Sequence, residues 1–454
     1  MLAIMPQQLM GAKRTLFLLL LFHVIFIGAR IRLGAFPLEL YFFSALFVVP
    51  YCLRTLGGGL RFDTVQVIVL MLVLFQIVMF IIEISSGVKD IDERLYFEAN
   101  RLIPLLVFFW LYSNRHVLSA AGSAKLISAC ILFAFILHAS STFIAATSDE
   151  GFEAVTKIAN IIDSPSARSL GVTSSIYDVD ESGQYVVRSA GLSKTAPQNA
   201  GFLALLGSML LLAAFRTGQW RYALGAVMAL GMTVMTFSRG AFLSMSLALM
   251  LAVFLGFKVN TAFRPGRLLL ILTAALALIA VFMQFYSGGL FASVASERFG
   301  QILGGGDFDS AALKWHSTLR FFDVVFSQNY GIFYIGEGLN NYALRTRGLY
   351  DFDPAEAGFV SNSLLLFVYD AGFVYGLLIA TLLLTLLRRL WFFMPEGLVV
   401  FLPLLLAAAS DNFYAVVFEM HALFWLSLGL ICVLLGEREI GLFSRSSNQK
   451  GMAV

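Results

Sequence analysis

Charge is what this 454-residue chain has least of: Asp, Glu, Lys and Arg together make up 13% of its residues, against 59% that are hydrophobic. Soluble domains carry about 25% charged residues, so this composition excludes an ordinary soluble domain. It predicts instead an all-α polytopic membrane protein. The formal net charge of +3 is too small to indicate a nucleic-acid partner.

Cysteines and metal-binding patterns are scarce as well. The three cysteines, Cys52, Cys130 and Cys432, lie in different apolar runs, which argues against a disulfide framework and against a thiolate metal site. No His/Cys cluster has metal-ligand spacing, no Gly-Lys-Ser/Thr phosphate loop is present, and we assign no Mg²⁺ site to a pair of carboxylates. We therefore expect no metal and no cofactor, and we expect any phosphate to be held by arginine.

Long apolar runs dominate what is present, and twelve of them are candidate membrane spans. They lie near residues 15–29, 36–53, 64–83, 99–113, 124–147, 198–215, 220–237, 241–257, 267–286, 361–387, 393–410 and 414–435. The preceding segment carries Lys13 and Arg14 but no small-residue cleavage pattern, so we expect the first run to be a span and not a removed signal peptide. No internal repeat supports a transporter of the inverted-repeat type.

Lysine and arginine are distributed unevenly between these runs. With a cytoplasmic N-terminus, the inside segments carry Lys13, Arg14, Arg54, Arg61, Arg115, Lys125, Arg216, Arg221, Lys258, Arg264, Arg267, Arg388, Arg389, Arg438, Arg445 and Lys450. The short outside segments carry only Arg30, Arg32, Lys89, Arg94, Arg101 and Arg239. Because positive charge favours the cytoplasmic side, we expect both termini to be cytoplasmic and both long loops to be outside.

The chain is therefore predicted to consist of five segments. Helices 1–5 occupy residues 1–147, a first long loop covers 148–197, helices 6–9 occupy 198–286, a second long loop covers 287–360, and helices 10–12 with a cytoplasmic tail occupy 361–454. Long loops between packed helices are commonly functional, so we expect the site to involve the two loops.

Arg239 is the most informative single residue, because it stands between two apolar runs with Ser238 and Gly240 beside it. A guanidinium within a bilayer is costly, so Arg239 is expected at a span end that faces water or a polar cavity. Its rigid fork of donors suits phosphate. The alternative is an interfacial arginine that extends to lipid headgroups.

A second cationic segment, residues 188–201, leads into the sixth predicted span. Arg188 and Lys194 stand near Gln198 and Asn199 at the expected helix start, where free N–H groups attract anions. Ordinary capping of the helix by a polar loop is the alternative.

The second long loop contains an amphipathic pattern over residues 312–326. His316, Arg320 and Asp323 form a polar stripe at helical spacing, beside an apolar one, as in a helix on a membrane surface or over a cavity. Glu337 follows between two glycines, where it is either a base or a solvated turn residue.

Three ionisable residues fall within the last apolar runs, namely Asp370, Glu419 and His421. Intramembrane ionisable groups call for a functional hypothesis such as a proton pathway. Partners on neighbouring helices are the commoner explanation.

The motifs, in their order, resemble the O-antigen ligase and Wzy-type polysaccharide polymerase superfamily. The matching pieces are Ser238-Arg239-Gly240, Arg188…Gly191…Asn199, and Gly336-Glu-Gly-Leu-Asn-Asn-Tyr342 before Ser361-Asn-Ser-Leu. The resemblance covers roughly residues 185–376. It implies a membrane-embedded, GT-C-like glycosyltransferase that is metal-independent and inverting, at the periplasmic face of the bacterial inner membrane.

The resemblance also implies roles for residues. Arg239 corresponds to the arginine of the family's Ser-Arg-Gly motif, which neutralises the leaving pyrophosphate, and Arg298 or Lys314 stands where the outer loop supplies a second cation. Ligases have a His-Asn pair where this chain has Ser361-Asn362, and serine cannot act as a base at neutral pH. The base is then His316, Glu337, Asp353 or Glu356, and these alternatives stay open. Arg188 is expected to join Arg239 as a catalytic cation. The expected substrate-binding residues are Lys194, Arg298, Lys314, Arg320 and Asn362. Arg320 and Gly331 also show the Arg-x₁₀-Gly spacing described for polymerases. Chance alone produces such a spacing in a chain of this composition, so the match carries almost no weight.

The missing histidine favours a polymerase that joins undecaprenyl-pyrophosphate-linked repeat units into exopolysaccharide or O-antigen. The expected partners are the lipid-linked donor and acceptor, membrane lipids, and proteins for chain-length control and export. A ligase that transfers glycan to lipid A core is the first alternative. A proton-coupled transporter or flippase is the second.

Overall fold

A computed structural model describes residues 6–27, 30–33, 36–57, 62–85, 91–162, 177–179, 185–187, 192–193, 196–236, 238–258, 266, 269, 273, 316, 318–320, 362–410 and 418–451. Within these ranges, thirteen helices are labelled in chain order. They are α1 (Pro6–Leu20), α2 (Ala45–Gly57), α3 (Thr64–Ser85), α4 (Ile91–Ser113), α5 (Arg115–Ala120), α6 (Ser123–Thr147), α7 (Asp149–Ile162), α8 (Ala196–Thr217), α9 (Trp220–Met235), α10 (Arg239–Lys258), α11 (Ser363–Phe393), α12 (Leu398–Ser410) and α13 (Phe418–Gly451).

The prediction of a helical membrane protein is confirmed. Six helices are long and apolar enough to cross a bilayer, and two shorter apolar helices accompany them. The six lie within α3, α6, α8, α10, α11 and α13. The predicted number of twelve spans stays a prediction, since the ninth predicted span, at 267–286, lies almost wholly outside the described residues.

Two short antiparallel hairpins and three short helical segments complete the described structure. Strands β1 (Arg30–Leu33) and β2 (Phe36–Glu39) form one hairpin, and β3 (Tyr177–Val179) and β4 (Tyr185–Val187) form the other. Short π- and 3-10-helical segments occupy Leu21–Ile25, Leu40–Ser44 and Pro395–Gly397. The second predicted span, at 36–53, therefore starts as a strand and becomes α-helical only at Ala45, with Pro50 inside the helix.

The centre of the bundle is built from α8 and α13. In their span-length windows 83% and 94% of residues are buried, against 33% in α3, so α3 lies at the lipid-facing edge. The large side chains of Trp425, Phe108 and Phe202 are fully buried. Exposed apolar side chains, among them Leu74 and Leu384, cover the outside, as a bilayer requires.

One end of the bundle holds two groups of ionic contacts; we call it the Arg216 end. Arg216 pairs with Glu437, and Arg438 pairs with Glu396 at 2.9 Å. Asp63 pairs there with Arg115 at 3.3 Å and with Arg389 at 3.6 Å. Every basic residue in these pairs belongs to the segments that the sequence predicts to be cytoplasmic.

The opposite end, which we call the Arg239 end, is defined by the direction of the helices. Because α8 ends at the Arg216 end, its first residue, Ala196, lies at the Arg239 end. Helices α10 and α13 also start there, and α12 ends there at Ser410. Arg239 thus lies at a span end, where the sequence predicts it.

Helix α11 is sharply bent at Gly372, whose backbone has φ 81° and ψ 172°. A Cβ placed on Gly376 would lie 3.9 Å from the Cα of Val368. Eight residues of a straight helix span roughly 12 Å, so the two halves of α11 fold against each other. Residues 373–393 alone reach roughly 30 Å, enough to cross the bilayer. The tenth predicted span, at 361–387, is therefore not continuous.

Candidate functional site

A narrow cleft opens at the Arg239 end, where the first turns of α8 and α10 meet the last turn of α12. Its volume is about 30 Å³. Residues that line it are Pro197, Gly201, Ala204, Leu205, Ser208, Ser238, Gly240, Ala241, Ser244, Pro403, Leu404, Ala407, Ser410 and Met420. This volume holds one or two water molecules and is too small for a sugar ring, so a large substrate would contact only the mouth.

The starts of two helices meet at the mouth of the cleft. Helices α8 and α10 both direct the N–H groups of their first turns toward it, and each helix start carries roughly half a positive charge. Arg239 is the first residue of α10, and its neighbours Ser238 and Gly240 line the cleft. The last carbonyls of α12 oppose part of this potential. None of the described lining residues is a carboxylate.

Asn199 fixes the start of α8 within the bundle. It is fully buried, and its side-chain Nδ2 donates to Thr142 Oγ1 of α6 at 2.8 Å. Thr142 in turn donates to the carbonyl oxygen of His138 at 2.7 Å. The side chain thus ties two helices together, and the sequence did not indicate this contact.

Ser244 also lines the cleft, and the sequence does not predict it as a site residue. Its side chain is 3% exposed, and its Oγ has no hydrogen-bond partner among the residues that the structure describes. An unsatisfied hydroxyl at a cleft is available to a ligand or a water molecule. A single serine within an apolar run carries no signal that would distinguish it from Ser246 nearby.

Asn362 caps α11. Its Oδ1 accepts hydrogen bonds from the backbone N–H groups of Leu364 at 2.9 Å and Leu365 at 3.1 Å. Asparagine is among the preferred capping residues because it satisfies these otherwise unpaired donors. The residue predicted to bind substrate therefore has a structural role, and it is not among the described residues that line the cleft.

The predicted surface helix is described only at His316 and at residues 318–320. These residues are helical, and His316 and Arg320 are both exposed. Thr318 is buried and Leu319 is 48% exposed. The remaining predicted site residues, Arg188, Lys194, Arg298, Lys314, Glu337, Asp353 and Glu356, lie outside the described residues.

A second polar group lies deep within the bundle. Arg101 of α4 pairs with Asp370 of α11 at 2.5 Å, and both side chains are 2% exposed. Arg101 lies roughly 18 Å from the Arg216 end of α4 by its position in the helix. The expectation of a partner on a neighbouring helix is confirmed for Asp370. Arg101, predicted in a short outside segment, is instead buried within α4.

Neighbouring polar contacts extend this group. Gln76 of α3 donates from Nε2 to the Tyr375 hydroxyl at 2.6 Å, one turn beyond the bend of α11. Gln76 is 1% exposed, and its Oε1 has no partner among the described residues. His421 is also buried, and its Nε2 accepts from Trp425 Nε1 at 3.2 Å. The side chain of Glu419 is not among those that the structure describes.

Comparison with models of known protein families found no match for this chain, and a search of characterised proteins found none either.

Proposed function

We propose that this protein is a polysaccharide polymerase, which transfers a growing glycan from polyprenyl pyrophosphate to the hydroxyl of another lipid-linked repeat unit. The observation that carries the proposal is the position of Arg239 at the first turn of α10, beside the first turn of α8 and the cleft between them. Two helix starts and a guanidinium together favour a phosphate group at the mouth.

The chemistry follows from that charge. The acceptor hydroxyl attacks the anomeric carbon, the bond to the pyrophosphate oxygen breaks, and polyprenyl pyrophosphate leaves with the bonding electrons. Arg239 and the free N–H groups of α10 would stabilise the negative charge that develops on the leaving group. The acceptor proton passes to a base in the second long loop, for which His316 and Glu337 are the candidates.

The proposed setting is an architecture of twelve spans in a bacterial inner membrane, with both long loops on the periplasmic side. The bulk of the substrate would lie among those loops, outside the narrow cleft. Arg188, Lys194, Arg298 and Lys314 are the cations that the loops would add.

The decisive experiment supplies purified, reconstituted protein with a short-chain polyprenyl-pyrophosphate oligosaccharide and sizes the products. Wild-type protein is expected to elongate the units, and Arg239→Lys to be roughly 10–100-fold slower, because lysine keeps the charge but loses the paired donors. Arg388→Lys, an exposed cation at the other end of the bundle, is the matched control. Elongation by Arg239→Lys at the wild-type rate would exclude the proposed role. Transfer only to a lipid A core acceptor would make the protein a ligase.

One observation favours a second candidate, a proton-coupled transporter. The bend of α11 beside the buried Arg101–Asp370 pair is of the kind found in discontinuous helices at transport sites. Counterflow of a lipid-linked sugar in vesicles, with no change in glycan length, would support this candidate and exclude the polymerase.

A further inference from the structure

A groove between α1 and α6 lies at the Arg216 end of the bundle. It has a volume of about 470 Å³ and is lined by Met10, Lys13, Arg14, Phe17, Leu18 and Leu126. Phe17 and Leu18 lie one turn from the two cations along α1, so the groove has a cationic part and an apolar part. This arrangement matches a ligand with a charged head and a hydrocarbon chain.

The two cations are available to a ligand. Lys13 and Arg14 are both exposed, and neither forms an ion pair or a hydrogen bond with a residue that the structure describes. Lys125, immediately before Leu126 in α6, adds a third exposed cation close to the groove. By contrast, Arg115, Arg216 and Arg438 at the same end are all paired with carboxylates.

The depth of the groove suits a lipid headgroup. Helix α1 packs against α5, and α5 packs against the part of α13 that precedes Glu437. Lys13 and Arg14 therefore lie at the level of the ionic contacts, where the bundle meets water. Phe17, 43% exposed, lies farther along α1 in the direction of the membrane interior. Cations at the surface with an apolar groove below them attract anionic lipids.

We infer that this groove binds an anionic phospholipid, with its phosphate between Lys13 and Arg14 and an acyl chain along Phe17, Leu18 and Leu126. The lipid would hold α1 against α6. This binding site is separate from the cleft at Arg239, and its occupancy does not depend on glycosyl transfer.

The test measures lipid affinity of the purified full chain in uncharged detergent, by native mass spectrometry with phosphatidylglycerol and phosphatidylcholine. Wild-type protein is expected to prefer phosphatidylglycerol. Lys13→Gln with Arg14→Gln is expected to weaken that binding roughly thirtyfold, since each surface cation contributes about a factor of five to six. The matched control is Arg54→Gln with Arg388→Gln, which removes two exposed cations from the same end and should keep the preference.

A second variant tests the apolar part of the groove separately from its cations. It also keeps the inference testable if the first variant does not fold. Leu126→Trp keeps both cations but fills the apolar part of the groove, so it should weaken phosphatidylglycerol binding. Inorganic phosphate should not compete with phosphatidylglycerol for the groove. Three results would overturn the inference. The first is equal binding of phosphatidylglycerol and phosphatidylcholine by wild-type protein. The second is an equal loss of phosphatidylglycerol binding in the control variant. The third is competition for the site by inorganic phosphate that is as strong as competition by phosphatidylglycerol.

Discussion

Arg101 and Asp370 differ in how each responds to loss of the other. A guanidinium cannot lose its proton in a protein, whereas a lone carboxyl can become neutral by taking one up. The pair is 2% exposed, so neither charge can turn to bulk water. The arginine therefore depends on its partner more than the aspartate does.

We expect Asp370→Asn to lower the free energy of unfolding by roughly 3–5 kcal/mol, because it removes the buried carboxylate that pairs with Arg101. Arg101→Gln should cost less, since Asp370 can bind a proton. Unfolding in mixed micelles measures both changes in the free energy of unfolding, and the double variant completes a double-mutant cycle. Strictly additive effects of the two substitutions would contradict a direct interaction.

Asn362 can be tested with two substitutions that separate capping from binding. Asn362→Ala removes the cap and should cost about 1 kcal/mol, whereas Asn362→Asp keeps a capping oxygen and should preserve stability. Aspartate also removes the amide donor. A loss of elongation in Asn362→Asp at unchanged unfolding temperature would show that the residue contacts substrate.

Among helices, α11 departs most from what hydropathy predicts. Its residues are apolar on both sides of Gly372, so the hydrophobic run continues where the helix does not. The sequence contains the glycine, but many membrane helices contain glycines without bending. The bend needs a φ that L-residues rarely adopt, and the approach of Val368 to Gly376 needs a residue without a side chain.

Gly372→Ala is therefore expected to lower the free energy of unfolding by roughly 1–3 kcal/mol. Gly11→Ala is the matched control. Gly11 is helical, nothing lies within 4 Å of where its Cβ would be, and alanine is the better helix former there. Both are measured by thermal unfolding in detergent. An equal, small effect of the two variants would show that residue 372 does not require the strained φ.

At the scale of the whole molecule, the two ends of the bundle differ in chemistry. The Arg216 end is closed by ion pairs between helices far apart in sequence, such as Arg216 with Glu437. The Arg239 end instead combines two helix starts with a small cleft. The predicted topology puts these ends on opposite sides of the membrane.

Cysteine labelling tests that topology. The native cysteines are all buried, so new ones at exposed positions provide the main signal. A membrane-impermeant maleimide should label Ser148→Cys, at the Arg239 end, in intact cells, and Gln219→Cys, at the Arg216 end, only after permeabilisation. Labelling in the reverse order would invert the predicted orientation, and with it the periplasmic position of Arg239.

Composition and hydropathy by themselves determined that the chain is a helical membrane protein and that Arg239 lies at a span end, because burial in lipid depends on local polarity alone. Only the tertiary structure decided that Arg101 and Asp370 form a pair, since residues 269 positions apart leave no local trace of their contact. It also decided that Ser244 lines a cleft. The pair and the cleft depend on where helices meet, and the hydrophobic pattern of a helix does not specify its neighbours when lipid and protein interior are equally apolar. The cap by Asn362 and the bend at Gly372 are local to α11, but they depend on backbone angles that the hydrophobic pattern does not show either.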